Sequence, residues 1–242
     1  MQPGKTIAER EPQHPASGNF LRDIVFGAND GVVTAIGFLV GISGTMVNQS
    51  TVIIAGTLTI VAGAASMALG NYLAVKSQKE FYDSMEKIER WEMDNKPDVE
   101  RDEIREIYTN MGFDKQTVET LTKKVTSDRE LWLAVMMRDE LGLVKEESPK
   151  ISGVLIGLFY LLGGIPPLLP FILLSPLSRA LIASIFTSIV VMALIGTIRW
   201  WLNKGSLGSK VVETITIGLL AAAIGYAAGE ALNFFGVSGI SI

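Results

Sequence analysis

Seven residues in one stretch carry the donor atoms and the spacing that a divalent cation needs. Glu89 and Glu92 stand three apart, as do Glu100 and Glu103, and Met137 and Glu140; Met136 stands four before Glu140. Positions three or four apart share one face of a helix. Each pair can therefore point two donors at one spot, and carboxylates converging from separate helices build carboxylate metal sites. The competing reading is a solvated acidic face with two methionines in a core. Glu80, Asp83, Glu86, Glu89 and Glu92 recur every third residue. Steps of three drift about 60° each on a 3.6-residue helix, so all five cannot share a face, although adjacent pairs can.

A second set of polar residues lies inside apolar sequence. Asp30 sits in Gly27-Ala28-Asn29-Asp30-Gly31, about eight residues into the first apolar run. An ionisable group there is costly and is a functional candidate by default. Met67 lies about eight residues before the end of the second run, among small residues from Gly63 to Gly70. At 1.5 Å per residue, both would be about 12 Å from the same membrane surface, and they could face one pore. In the apolar runs, the hard carboxylate of Asp30 paired with the soft thioether of Met67 suits a borderline ion such as Fe(II) better than Mg or Ca. Glu230, deep in the last run, is a further acid that could hold a proton, a metal or a dimer contact.

The elements that must position these groups follow from composition. The chain has 242 residues, 48% hydrophobic, with mean hydropathy +0.36. Five apolar runs, at about 24–44, 52–75, 151–174, 179–200 and 211–235, are long enough to cross roughly 30 Å of hydrocarbon as helices. The first is followed by further spans, so it reads as a span and not as a cleaved signal peptide. In the third, Gly163, Gly164, Pro166, Pro167 and Pro170 are expected to break or kink the helix. The fold class is an all-α membrane protein of five spans with a helical insert. The expected organisation is a flexible tail at 1–19, two spans within 20–75, a cytoplasmic metal-binding segment at 76–150, and three spans within 151–242.

The insert holds 19 of the 25 acidic residues and 14 of the 21 basic ones. Its net charge is therefore modest, and specific clusters matter more than bulk attraction. Asn95-Lys96-Pro97-Asp98 reads as a break, with Asp98 or Val99 starting the next helix. Asp114, and Ser127 or Asp128, read as helix caps, and Gly112 and Gly142 as helix ends; the last helix is expected to reach about Leu141. Lys and Arg concentrate in the insert and between the last two spans, which predicts a cytoplasmic N-terminus and insert and an outer C-terminus. The absence of cysteine excludes disulfides and thiolate sites, and the single His14 argues against structural zinc and a Ser-His-Asp triad. A net charge of −4 argues against nucleic acid as partner. A carboxylate di-iron oxidase would need Glu-x-x-His motifs, which are absent.

Taken together, the run Leu21-Arg22-Asp23-Ile24-Val25-Phe26 with Gly27 to Gly31, the run Ser66 to Ala74, the Glu pairs, the run Met136 to Gly142 and the Pro-rich run Gly163 to Pro170 resemble the vacuolar iron transporter family. The likeness covers about residues 20–236. It implies a five-span homodimer in the lipid bilayer, with a pore at the two-fold axis between the first spans, exchanging cytoplasmic Fe(II), or Mn(II), for protons. Asp30 and Met67 match the family's membrane ion site. Glu89, Glu92, Glu100, Glu103, Met136, Met137 and Glu140 match its cytoplasmic metal ligands. One departure stands out: eukaryotic members tend to carry a Glu about two turns before the span-two Met, where this chain has Thr57, Leu58 and Thr59. Thr59 cannot carry a proton, which leaves the stoichiometry open and makes Glu230, with Asp30, a candidate for proton coupling. The metal is substrate and not cofactor, and no enzymatic activity is expected. The alternative is a membrane-anchored metal sensor or buffer. The short polar tail favours a prokaryotic cell membrane over a vacuolar one.

Overall fold

The structure is a computed structural model that describes residues 18–45, 48–144, 148–203 and 205–234. The tail expected over 1–19 falls outside them, His14 included, except for Gly18 and Asn19. Among the described residues eight α-helices follow in chain order: α1 (Gly18–Ser43), α2 (Gln49–Asn95), α3 (Pro97–Asn110), α4 (Lys115–Val125), α5 (Arg129–Val135), α6 (Pro149–Leu173), α7 (Leu177–Asn203) and α8 (Leu207–Phe234). A π-helical turn, Met136–Glu140, follows α5 directly. Among the described residues there is no strand.

Five helices, α1, α2, α6, α7 and α8, are long and apolar enough to cross a membrane. The protein is an all-α membrane protein with five spans. The chain divides into two compact units, one of Met1–Tyr72 with Lys150–Ile242, the other of Leu73–Pro149.

In the first unit, glycines set the helix packing. In lipid, helices gain little from burying apolar side chains against one another, so close backbone approach carries association. A Cβ at Gly27 or Gly31 of α1 would meet the carbonyls of Ile156 and Tyr160 on α6. A Cβ at Gly163 of α6 would meet the carbonyl of Ala28 in return. Six and ten residues beyond Gly31, Gly37 and Gly41 approach Ala221 and Gly225 of α8. Spacing of four keeps each glycine pair on one face, so α1 offers one small-residue face to α6 and another to α8. Gly153 and Gly157 of α6 admit Ala64, Ala68 and Tyr72 of α2. Ala35, Leu39, Val52, Ile60, Leu168 and Phe171 fill the space between these contacts.

Two details differ from the sequence expectation. The glycines and prolines of the third span do not break it: α6 runs unbroken with Pro166, Pro167 and Pro170 inside. Neighbouring side chains serve backbone carbonyls along it, Ser184 donating to Pro167 O at 2.6 Å and Gln49 to Phe171 O at 2.6 Å. These bonds tie α6 to α7 and α2. The second difference is the π turn, where a regular helix to Leu141 was predicted. There the Leu141 amide donates to Met136 O, five residues back, at 3.2 Å.

In the second unit the capping signals act as read. Asp114 Oδ1 accepts from the amides of Gln116 and Thr117, and Asp128 Oδ1 from those of Glu130 and Leu131. Gly112 and Gly142 take φ of 91° and 63°, the left-handed conformation that lets a helix stop without a Cβ clash. Pro97 opens α3 at a position where a missing N–H is no loss. The unit closes over Met93, Ile104, Trp132, Met136 and Met137, all buried. Each contributes about 1.5–3 kcal/mol on leaving water.

Candidate metal centre

Two helices bring the first carboxylates together. Glu89 and Glu92 lie on α2, and Glu100 lies one turn into α3, just past the Lys96-Pro97 break. One carboxylate oxygen from each lies within 4.8 Å of the others. Oxygens bound to one cation at about 2.0–2.6 Å sit at most about 5 Å apart, so the three can share an ion. Glu89 and Glu100 are 4% and 2% exposed, burial that an unpaired carboxylate does not reach without compensation.

The compensation is incomplete within the protein. Glu100 Oε2 is buried with no hydrogen-bond donor. Burial is the main cause that raises the acids: Glu89 to about 7, with Glu140 and Glu92 adding repulsion, and Glu100 to about 8, with Glu103 adding to it. Glu140 is also pushed up to about 7 by burial and by the charges of Glu103, Glu100 and Glu92. Glu103 is raised by burial and by Glu92, while Lys96 works against the rise. Five carboxylates therefore repel one another in one partly dry place, and two like charges cannot both ionise there cheaply.

The structure separates this group from the other acids of the same helix. Glu80, Asp83 and Glu86 are paired with Lys76, Lys79 and Arg90 on the helix surface. The solvated-face reading holds for them. Glu92 is intermediate: its Oε1 takes Lys96 Nζ at 3.0 Å, and that ammonium also lies 5.4 Å from the Trp91 ring centre. Met136 and Met137 are 0% and 1% exposed, packed with Ile104 of α3 and Met93 of α2. Ile104 stands four after Glu100 and Met93 four after Glu89, so the methionine core is one helical turn from both carboxylates. The π turn that begins at Met136 ends on Glu140; such turns recur at functional sites.

In the membrane unit, Asp30 and Met67 are half-buried. The Tyr160 hydroxyl of α6 lies against Gly63 of α2. Met67 is one turn beyond Gly63. Glu230 is exposed on α8 and accepts from Tyr226 at 3.0 Å. Its neighbour Gly229 touches Gly41, which is eleven residues, or about 16 Å, along α1 from Asp30.

Two residues escaped sequence reasoning. Tyr160 is an aromatic within the third span. Asp23 lies just before the first apolar run, yet it is 2% exposed. It accepts from Ser152 and from Arg22 Nε at 3.2 Å, while Asn71 donates to Ser152 at 2.7 Å. This chain of bonds ties α1, α6 and α2 together. The signal available was the adjacent Arg22, which supplies a counter-charge.

Five spanning helices and a cation-sized group of buried carboxylates define a multi-pass membrane protein with a charged helical segment between its second and third spans. The model of the VIT family matches residues 21–230, and the chain belongs to that family. It is 33% identical to Vacuolar iron transporter 1 of Tulipa gesneriana over 94% of this chain and 93% of that protein. It is 33% identical to Vacuolar iron transporter 1 of Oryza sativa subsp. japonica over 91% of this chain and 88% of that one. Protein CCC1 of Saccharomyces cerevisiae is 31% identical over 89% of this chain and 67% of its own length. These vacuolar, eukaryotic relatives do not agree with the prokaryotic cell membrane expected from the tail.

Proposed function

We propose that the protein moves divalent metal, Fe(II) and with it Mn(II), out of the cytoplasm in exchange for protons. The observation that carries this reading is the meeting of Glu89, Glu92 and Glu100 oxygens within 4.8 Å in a five-span chain. The names of its relatives support iron as the substrate.

In this mechanism the segment at 76–150 is cytoplasmic. Its carboxylates, joined by Glu103 and Glu140 and by the thioethers of Met136 and Met137, collect the hydrated ion and replace its water. The ion then passes to Asp30 and Met67. Both are half-buried in a single chain, which leaves each a face for a second copy, so a homodimer would double the site. Asp30 binds metal when ionised and releases it when protonated from the far side, and this couples the two fluxes. Glu230, at a different depth from Asp30, serves as a proton residue toward the outer end of the path.

The test is Fe(II) uptake into proteoliposomes under an imposed pH gradient. Wild type should alkalinise the lumen as Fe(II) enters it, and Asp30→Asn should lose coupled transport while metal binding by the carboxylates persists. Full coupled transport in Asp30→Asn would sink the mechanism. Metal binding without flux in wild type would leave a membrane-anchored metal buffer instead.

A further inference from the structure

At one end of the spans, α1, α7 and α8 enclose a cavity of about 470 Å³ unrelated to the carboxylate centre. Its lining has two parts. Val25, Phe26, Leu202 and Ile217 make an apolar wall, and Arg22 and Arg199 place two guanidinium groups beside it. Phe26 and Ile217 are half-exposed, so the wall is open to the outside of the single chain.

Both guanidiniums are held in place and keep donors to spare. Arg22 spends Nε and Nη2 on Asp23. Arg199 spends Nη1 on Thr214 at 2.8 Å and Nη2 on Glu213 at 3.3 Å. A guanidinium has five N–H donors in a fixed fork, so each can still take a phosphate oxygen. The adjoining Trp200 and Trp201 mark the depth: such rings gather where hydrocarbon meets water. Trp201 is 73% exposed and Trp200 is anchored to Gly205 O at 3.0 Å.

We propose that this cavity binds an anionic glycerophospholipid. The headgroup phosphate lies between Arg22 and Arg199, and the acyl chains follow the wall of Val25, Phe26, Leu202 and Ile217. A basic rim over an apolar pocket at headgroup depth matches both halves of such a molecule. Neither a soluble oxyanion nor a neutral lipid uses both halves. The site also bears on the transport unit, because Arg22 is the surface partner of buried Asp23, and Asp23 holds α1 to α6 through Ser152.

The test uses the whole protein in phosphatidylcholine vesicles doped with brominated lipid, whose bromines quench nearby tryptophan. Brominated phosphatidylglycerol should quench at about tenfold lower mole fraction than brominated phosphatidylcholine. Arg22→Gln with Arg199→Gln should abolish that preference. Ile217→Phe, which keeps both arginines and fills the apolar wall, should weaken it without changing the melting profile, and it decides the matter if the double variant does not fold. Inorganic phosphate in the buffer should leave the curves unmoved. Equal quenching by both lipids in wild type, as a second copy covering the cavity would give, overturns the proposal. So does a preference that survives in Ile217→Phe and in the arginine variant, or one that inorganic phosphate removes.

Discussion

Glu89 at the end of α2 and Glu100 at the start of α3 bring carboxylate oxygens within 4.8 Å of one another, with both side chains almost wholly out of water. The Lys96-Pro97 break makes this possible: it ends one helix and starts the next within a single residue, so the two helix ends fold back on a shared face. Two buried carboxylates this close are unfavourable without a proton or a cation between them.

Replacing Glu100 with Gln removes a charge and keeps the shape. Mn(II) binding to the purified protein, followed by paramagnetic resonance, should weaken roughly tenfold or more. At pH 9, where Glu100 of the wild type is ionised, the metal-free variant should melt higher than wild type, since the repulsion is gone. About 2–4 °C per kcal/mol is the scale for a chain of this size. A lower melting point in the metal-free variant would show that the Glu100 carboxylate is compensated from within the protein.

Metal binding should rise steeply with pH around neutrality. Glu89 and Glu140 titrate near 7 and Glu100 near 8, and each must lose its proton to ligate. The metal-free protein should show the opposite trend. A carboxyl whose folded pKa is raised adds stability below its ordinary value of about 4.5, and loses it as pH climbs toward 7–8. Melting with and without Mn(II) at pH 6, 7 and 8 should therefore give a metal-induced shift that grows at each step.

Asp23→Ala should destabilise the membrane unit by about 1–3 kcal/mol, because it strands the Ser152 hydroxyl in a buried place. The paired change Asp23→Ala with Ser152→Ala should recover part of that loss. Thermal melting in detergent, read by size-exclusion fluorescence, measures both.

Gly31→Ala should also destabilise, by about 1–3 kcal/mol, since its Cβ would enter the Tyr160 carbonyl. Gly70→Ala on α2 is the control: a Cβ there meets nothing within 4 Å, so its melting point should hold or rise.

Much of this was legible beforehand. The five spans follow from apolar length, and Asp114, Asp128, Gly112 and Gly142 mark helix ends through bonds and backbone angles that depend on near neighbours alone. The pairs Glu89/Glu92 and Glu100/Glu103 were visible as pairs because helical spacing is local. The prolines of α6 were expected to break or kink it, and they do not break it; the Ser184 and Gln49 that bond its carbonyls come from other helices, which local sequence does not show. The π turn misled for a related reason: its wider turn keeps the same apolar and polar pattern as a regular helix.

By itself the sequence determined what is short-range: which segments are helical, which can lie in lipid, and which acids stand one turn apart. Only the tertiary structure decided which of those acids lose their water. Glu80, Asp83 and Glu86 belong to the same three-residue series as Glu89 and Glu92, yet they meet surface cations while Glu89 meets α3. Asp23, unremarkable in the chain, is buried because Ser152 comes to it from 129 residues away. Burial and charge repulsion depend on what arrives from elsewhere in the chain, and they are what set Glu89 and Glu100 apart from the rest of an acidic stretch.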